Sequence, residues 1–265
     1  MSKTSDQPVL TSRDGSVAHI RLNRPHVLNA LDQAMAEALL AAVQVIAADA
    51  AVRCVVLSGA GRSFMAGGDV AAMHQAGHDA PAFAARLIAP LHRALELLAA
   101  CHAPVLASVQ GPVAGAGVSL LLAADLAIAA DDLHLTLAYP RIGASPDGSS
   151  TFTLPRIVGL RRAMEIALLS DPIPAQEALR LELVNRVVPL AELPAATEVL
   201  ARRLADGPTR AFAATRKLLR GSFDRTLAEQ LDAEAEAFLA TAATADFREG
   251  TAAFAQKRRA RFTGA

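Results

Sequence analysis

Asp147 lies in a Pro-Asp-Gly turn, and His92 follows Pro90-Leu91 inside an apolar helical stretch. A carboxylate and an imidazole are the side chains most able to move a proton near neutral pH. Two glycine turns supply the other half of a chemistry. In residues 61–70 (GRSFMAGGDV), Ala66-Gly67-Gly68 follows a strand-like run and leads into a helix that Asp69 is suited to cap. In residues 103–125 (APVLASVQGPVAGAGVSLLLAAD), a second strand-like run passes through Gly111-Pro112 into Ala114-Gly115-Ala116-Gly117, where an apolar helix begins. The first amides of a helix have no intrahelical acceptor and carry the positive end of its dipole. Two such turns, about 50 residues apart, can each donate one N–H to one developing oxyanion.

Each feature also has a plain structural explanation. A tight strand-to-helix connection accounts for the first turn, and close helix–strand packing for the second. Asp147 taken alone reads as a turn or cap residue, and a lone histidine beside an apolar stripe as a packed or surface group. The second turn is not a phosphate loop, because Val118 and Ser119 stand where a lysine is required. Cys101 and His102 form a poor metal pair with no further ligands nearby, and Cys54 reads as a small buried hydrophobe.

The elements that must position these groups follow from hydrophobic periodicity. Residues 17–22, 52–58, 105–109, 126–129 and 134–137 have strand composition. Residues 29–48 place Leu31, Met35, Leu39 and Val43 about one turn apart. Residues 81–100 place Ile88, Leu91, Leu95 and Leu98 on one side, with Pro81 in the first turn. A helix begins near Ser149, and helical patterning covers 159–169, 175–181, 193–205, 209–220, 227–241 and 245–257. The pattern predicts an α/β core followed by an α-helical tail. The uncharged stretch 103–124 is long enough to span a bilayer. Its prolines and glycines instead divide it into a buried strand, a turn and a buried helix.

Composition narrows the function classes. The chain has 265 residues, 52% of them apolar, and 26 basic residues balance 26 acidic ones. That balance gives no electrostatic case for nucleic acid or an anionic membrane, and a neutral protein of this kind is expected to hide apolar surface in an oligomer. The absence of tryptophan and the single tyrosine, Tyr139, argue against a stacking platform for bases. No disulfide framework or N-terminal leader is evident, so the expected location is the cytoplasm.

The blocks LNRPHVLNAL (22–31), SFMAGGDV (63–70), APVLASVQGPVAGAG (103–117), AADLAIAADD (123–132) and LPRIVGLRRAMEIAL (154–168) occur in that order. They continue through EALRLELVNRVVP (177–189) to DFREGTAAFAQKR (246–258). This arrangement resembles the crotonase (enoyl-CoA hydratase/isomerase) superfamily over almost the whole chain. The resemblance implies a spiral of ββα units, residues 1–200, carrying an acyl-CoA site. Residues 201–265 become a helical region for trimerisation that also covers the site, in a homotrimer or dimer of trimers. It places the oxyanion-hole amides on Gly68 and on Ala116, where the family usually has glycine. It sets Ala66, Asp69 and Val70, with His26 and Leu28 nearby, against the adenine and pantetheine of the coenzyme. Arg24 and Lys257 become loose candidates for its phosphates. Coenzyme A is then part of the substrate, and no separate cofactor or metal is implied.

The resemblance also fixes a departure. Ser119 and Arg141 occupy the positions of the two carboxylates that hold and shuttle water in enoyl-CoA hydratases, and neither can do that work. The loop around Asp147 and the segment 246–250 instead resemble isomerases acting on epoxidised phenylacetyl-CoA, which use an aspartate here. In 4-chlorobenzoyl-CoA dehalogenase the same position is a nucleophile. There the general-base histidine corresponds to His92, and the tryptophan that holds the aspartate corresponds to Tyr139, which joins the substrate-facing set. The leading expectation is therefore an isomerase with Asp147 as acid and base. The alternatives are a hydratase with unusual groups, an Asp147/His92 hydrolase or dehalogenase, and a CoA-ester-binding or RNA-binding member without catalysis.

Overall fold

The computed structural model describes residues 7–265; the first six, part of the N-terminal stretch read as lacking a leader, lie outside the described residues. The main sheet has the order β1-β2-β3-β4-β6-β9, comprising Val9–Asp14, Val17–Leu22, Cys54–Gly59, Val105–Val109, Leu126–Ala130 and Arg186–Val188. Only the β1–β2 hairpin is antiparallel; β2 through β9 pair in parallel. A second sheet joins β5 (Pro112–Ala114), β7 (His134–Thr136) and β8 (Ile173–Pro174). The chain thus alternates between the two sheets, β4 to β5 and β6 to β7, before each crossing helix. This is the ββα spiral expected from the sequence.

The parallel strands are buried on both faces, which explains why they read as continuous apolar runs. All five residues of β4 are buried. On β3, Val55 and Leu57 face the larger core, while Cys54 and Val56 face a smaller one. The smaller core is covered by Leu193, Leu200 and Ala201 of α7 (Leu193–Ala205). The larger core receives α1 (Gln33–Ala48), through Met35, Leu39 and Val43, together with α3 (Ala80–Ala100) and α4 (Ala116–Ala123). The short α2 (Val70–Ala76) buries no residue. On α3 the buried stripe runs through Leu87, Leu91, Leu95 and Leu98. Ile88, expected on that stripe, is only half-buried because the 87-91-95 spacing fixes the inward face.

The remaining helices are α5 (Ser150–Leu169), broken at Gly159, α6 (Ala175–Arg180), α8 (Thr209–Gly221), α9 (Leu227–Ala242) and α10 (Ala245–Ala255). Asp125, which ends the uncharged stretch, anchors α8 to the core. It pairs with Arg216 at 2.7 Å and Arg220 at 2.9 Å while accepting from the Val105 N–H. The uncharged stretch itself forms β4, β5 and α4, and no helix among the described residues is long and apolar enough to cross a membrane.

One correction concerns the start of α1. Residues 29–32 were expected to be helical, yet Asn29 has φ +57° and is fully buried. Its amide donates to the carbonyls of Ala60, Ser63 and Phe64, and its Oδ1 accepts from the Arg24 N–H. The helix starts after Asp32, whose carboxylate accepts from Met35 N at 2.8 Å. Asn29 therefore clamps the turn after β3 instead of extending α1.

Candidate active site

Two glycines set the geometry of the paired turns. Gly67 has φ +99°, and Gly115 has φ +50° with ψ −119°, backbone that L side chains rarely adopt. Each precedes one of the predicted donors. The turns abut: a Cβ on Gly67 would meet the Ala114 carbonyl at 3.1 Å, and one on Gly115 would lie 3.6 Å from the Gly67 Cα. The neighbouring amides are committed elsewhere, Ala66 N–H to Leu28 O and Asp69 N–H to Leu31 O, both at 3.0 Å. On the other side, Val118 N–H and Ser119 N–H both return to Gly115 O. Among the described residues, the Gly68 and Ala116 N–H groups have no such acceptor, and both residues line one cavity of about 270 Å3.

Asp147 lines the same cavity, whose other walls include Leu31, Val70, Met73, Leu87 and Leu91. Its Oδ1 accepts from the Tyr139 hydroxyl. Burial, and then that bond to the carboxylate, push the Tyr139 phenol far above its ordinary ionisation range, so it remains a neutral donor at any working pH. The backbone of the Asp147 turn is held from two more sides. Ser119 Oγ donates to Asp147 O at 3.0 Å, and the Gly148 N–H donates to His92 Nε2 at 3.3 Å. The Ser119 hydroxyl thus fastens the neighbouring loop.

The predicted site residues divide into two groups. Gly68, Ala116, Asp147, Ala66, Val70 and Tyr139 come together at the cavity. Arg141 stands at its exposed rim, donating to Ser170 O at 2.6 Å. Asp69 caps α2 by accepting from Ala72 N–H at 3.1 Å and does not line the cavity. Leu28 reaches the site only through its carbonyl, and His26 is exposed on a short 3-10 turn. Arg24 is engaged with Asp32 at 3.1 Å and with Ala30 O, so it braces the 24–32 segment, while Lys257 is exposed beyond α10. His92 does not line the cavity; it borders a separate crevice of about 300 Å3 with Glu96, Phe152 and Arg220.

Two larger depressions lie among the C-terminal elements. One, of about 680 Å3, is apolar and walled by Leu218, Phe238 and Phe247; the other, of about 1020 Å3, is rimmed by Arg203, Arg258, Arg259 and Arg261. Neither is reached by Gly68, Ala116 or Asp147. No group of three or more His, Cys, Asp or Glu among the described residues is arranged to hold a metal ion. His102 instead contacts Val52 O at 2.8 Å. Sequence reasoning missed the loop-fastening role of Ser119, although a hydroxyl buried in an otherwise apolar helix was a signal that it must find a partner.

Comparison with known proteins gives the family. Residues 12–265 match the family model described as enoyl-CoA hydratase/isomerase. A probable enoyl-CoA hydratase of Rhodobacter capsulatus is 40% identical over 94% of this chain and 95% of its own length. The 1,2-epoxyphenylacetyl-CoA isomerase of Escherichia coli is 34% identical over 97% of this chain and 98% of its own. A crystal structure from Mycobacterium abscessus, provisionally described as an enoyl-CoA hydratase/isomerase, superposes with a TM-score of 0.93 at 36% identity. It covers 97% of this chain and 100% of that one. The chain therefore belongs to the enoyl-CoA hydratase/isomerase family, and its fold is that of the crotonases.

Proposed function

We propose that this protein is an acyl-CoA isomerase that shifts a double bond through a thioester enolate. The observation that carries the reading is one carboxylate, Asp147, lining the same cavity as two unpartnered amides; the family resemblance adds that Ser119 and Arg141 stand where hydratases carry their two carboxylates. The thioester carbonyl oxygen is set against the Gly68 and Ala116 N–H groups. Asp147 removes a proton from the carbon at one end of the allylic system. The negative charge moves to the thioester oxygen, and the protonated Asp147 returns the proton at the other end. Each oxyanion donor contributes about 2.7–4 kcal/mol in comparable enzymes, and general acid–base catalysis a further ~10²–10⁴-fold. Coenzyme A enters as part of the substrate, held by backbone around Ala66 and Val70.

The test is proton exchange in heavy water on 2-enoyl, 3-enoyl and arylacetyl CoA thioesters, with Asp147→Asn beside the wild type. Double-bond migration with deuterium at the α or γ carbon, lost in the variant while ester binding persists, is the expected result. Full activity of Asp147→Asn would remove the assignment. The 40% identical relative favours a second reading, hydration, which a mass gain of one water would establish. Hydrolysis by an Asp147/His92 pair is less supported, because His92 borders a different crevice. Exposed Leu231, Phe238, Leu239 and Phe254 on α9 and α10 support a helical tail, residues 201–265, that packs against other copies in a trimer or paired trimers. Sedimentation would find a monomer if that were wrong. Cys54 and Cys101, both free and buried, suit a reducing cytoplasm.

A further inference from the structure

His92 carries the second inference, which rests on Asp147 being the acid and base. The turn presenting Asp147 is fastened by hydroxyls of Tyr139 and Ser119, and by the imidazole of His92, whose Nε2 can accept only while that nitrogen carries no proton. Gly148 is buried, and its N–H donates to His92 Nε2 at 3.3 Å. A ring that accepts at Nε2 is neutral and carries its proton on Nδ1. We propose that neutral His92 is a positioning residue that seats the Asp147 turn, and that protonating it releases the turn and switches the site off on acidification.

The physical step is a change of hydrogen-bond polarity. Imidazolium has two donors and no acceptor, so a proton at Nε2 faces the Gly148 N–H donor to donor. Rotating the ring does not help, since the other nitrogen is also protonated. The buried amide then lacks an acceptor, a cost the turn relieves by moving. Two charged groups share the crevice with His92. Glu96, one turn along α3, is paired with Arg93 at 2.8 Å. Arg220 of α8 is paired with Asp125. The neighbours from the start of α5 are uncharged: Ser149, Phe152 and Thr153. Asp147 directs its carboxylate to Tyr139 and the cavity.

The experiment uses the full-length protein with His92→Gln, which keeps an acceptor near the Nε2 position without titrating, and His92→Phe, which keeps the ring without an acceptor. kcat/KM and hydrogen exchange of the peptide covering 139–150 are followed between about pH 5 and 8, with exchange corrected for its intrinsic pH dependence. In the wild type, protection and turnover should fall together on acidification. His92→Phe should be unprotected and at least about tenfold slower at every pH. His92→Gln should recover most of that loss at neutral pH and carry protection and activity further into acid. An acid limb identical in wild type and His92→Gln would overturn the proposal. So would a Gln variant as slow as Phe at neutral pH, which would make the imidazole itself a chemical participant. The exchange readout is independent of the reaction. If double-bond migration is absent, exchange still reports whether His92 seats the turn. If exchange is flat, Asp147→Asn still decides the isomerase reading.

Discussion

Replacing Tyr139 by phenylalanine removes one hydroxyl and leaves the ring in place beside Gly115, where a Cβ would come within 3.9 Å of the Tyr139 Cζ. The bond deleted is phenol to carboxylate, and a hydrogen bond to a charged partner contributes about 1.5–3 kcal/mol. If all of it is spent on orienting Asp147, kcat should fall roughly 10- to 150-fold at 1.36 kcal/mol per decade. KM should change little, because the thioester is held by the amides and the apolar walls. The decisive assay is a double-mutant cycle with Asp147→Asn, measured as proton exchange and turnover on the best ester. A residue that acts through Asp147 costs nothing further once that carboxylate is gone. An undiminished Tyr139→Phe cost in the Asn background would show that the phenol meets the substrate directly. A variant as active as wild type would show that Asp147 needs no such support.

Two further outcomes follow from the backbone and the core. Ala116→Pro deletes one oxyanion donor at the first position of α4, where proline is tolerated, and should lower kcat by about 10²–10³ with the melting temperature nearly kept; unchanged turnover would remove Ala116 from the oxyanion hole. Burial, with smaller contributions from the charges of Asp125 and Glu198, raises the Cys54 thiol from 9.0 to about 12. The unfolded chain therefore ionises this thiol first. Its contribution is fully present below about pH 9 and is lost as pH rises toward 12, on the order of 4 kcal/mol at most. Denaturation curves for Cys54→Ala should show a shallower alkaline decline than wild type, and parallel declines would refute the assignment.

The parallel core was legible because its strands are buried on both faces and leave uninterrupted apolar runs. The edges were not. β1 (VLTSRD) exposes four of its six residues, and β5, β8 and β9 have two or three residues each. Such strands exist because a neighbour supplies the ladder, and their own composition carries little of that information. α5 was read in two pieces, a start near Ser149 and helical patterning from Gly159, whereas it runs from Ser150 to Leu169. Pro155 and the non-helical Gly159 interrupt the helical pattern in sequence.

The site divides along the same line. A glycine turn between a strand and a helix is a local pattern, so both turns that line the cavity could be read from sequence. Their convergence depends on Gly67 and Gly115 meeting face to face across 48 residues of chain, a packing fact. Asp147 likewise looked like a turn residue, and it is one. It lines the cavity on a turn that Ser119, Tyr139 and His92, from three separate elements, hold in place. Periodicity placed His92 beside the buried stripe of α3 but could not tell which side of the Asp147 loop the ring would meet. A rotation of one position separates the cavity wall, Leu91, from the loop anchor, His92. The expectation of a base at His92 therefore depended on the one coordinate that helical spacing leaves undetermined, the identity of the neighbour across the groove.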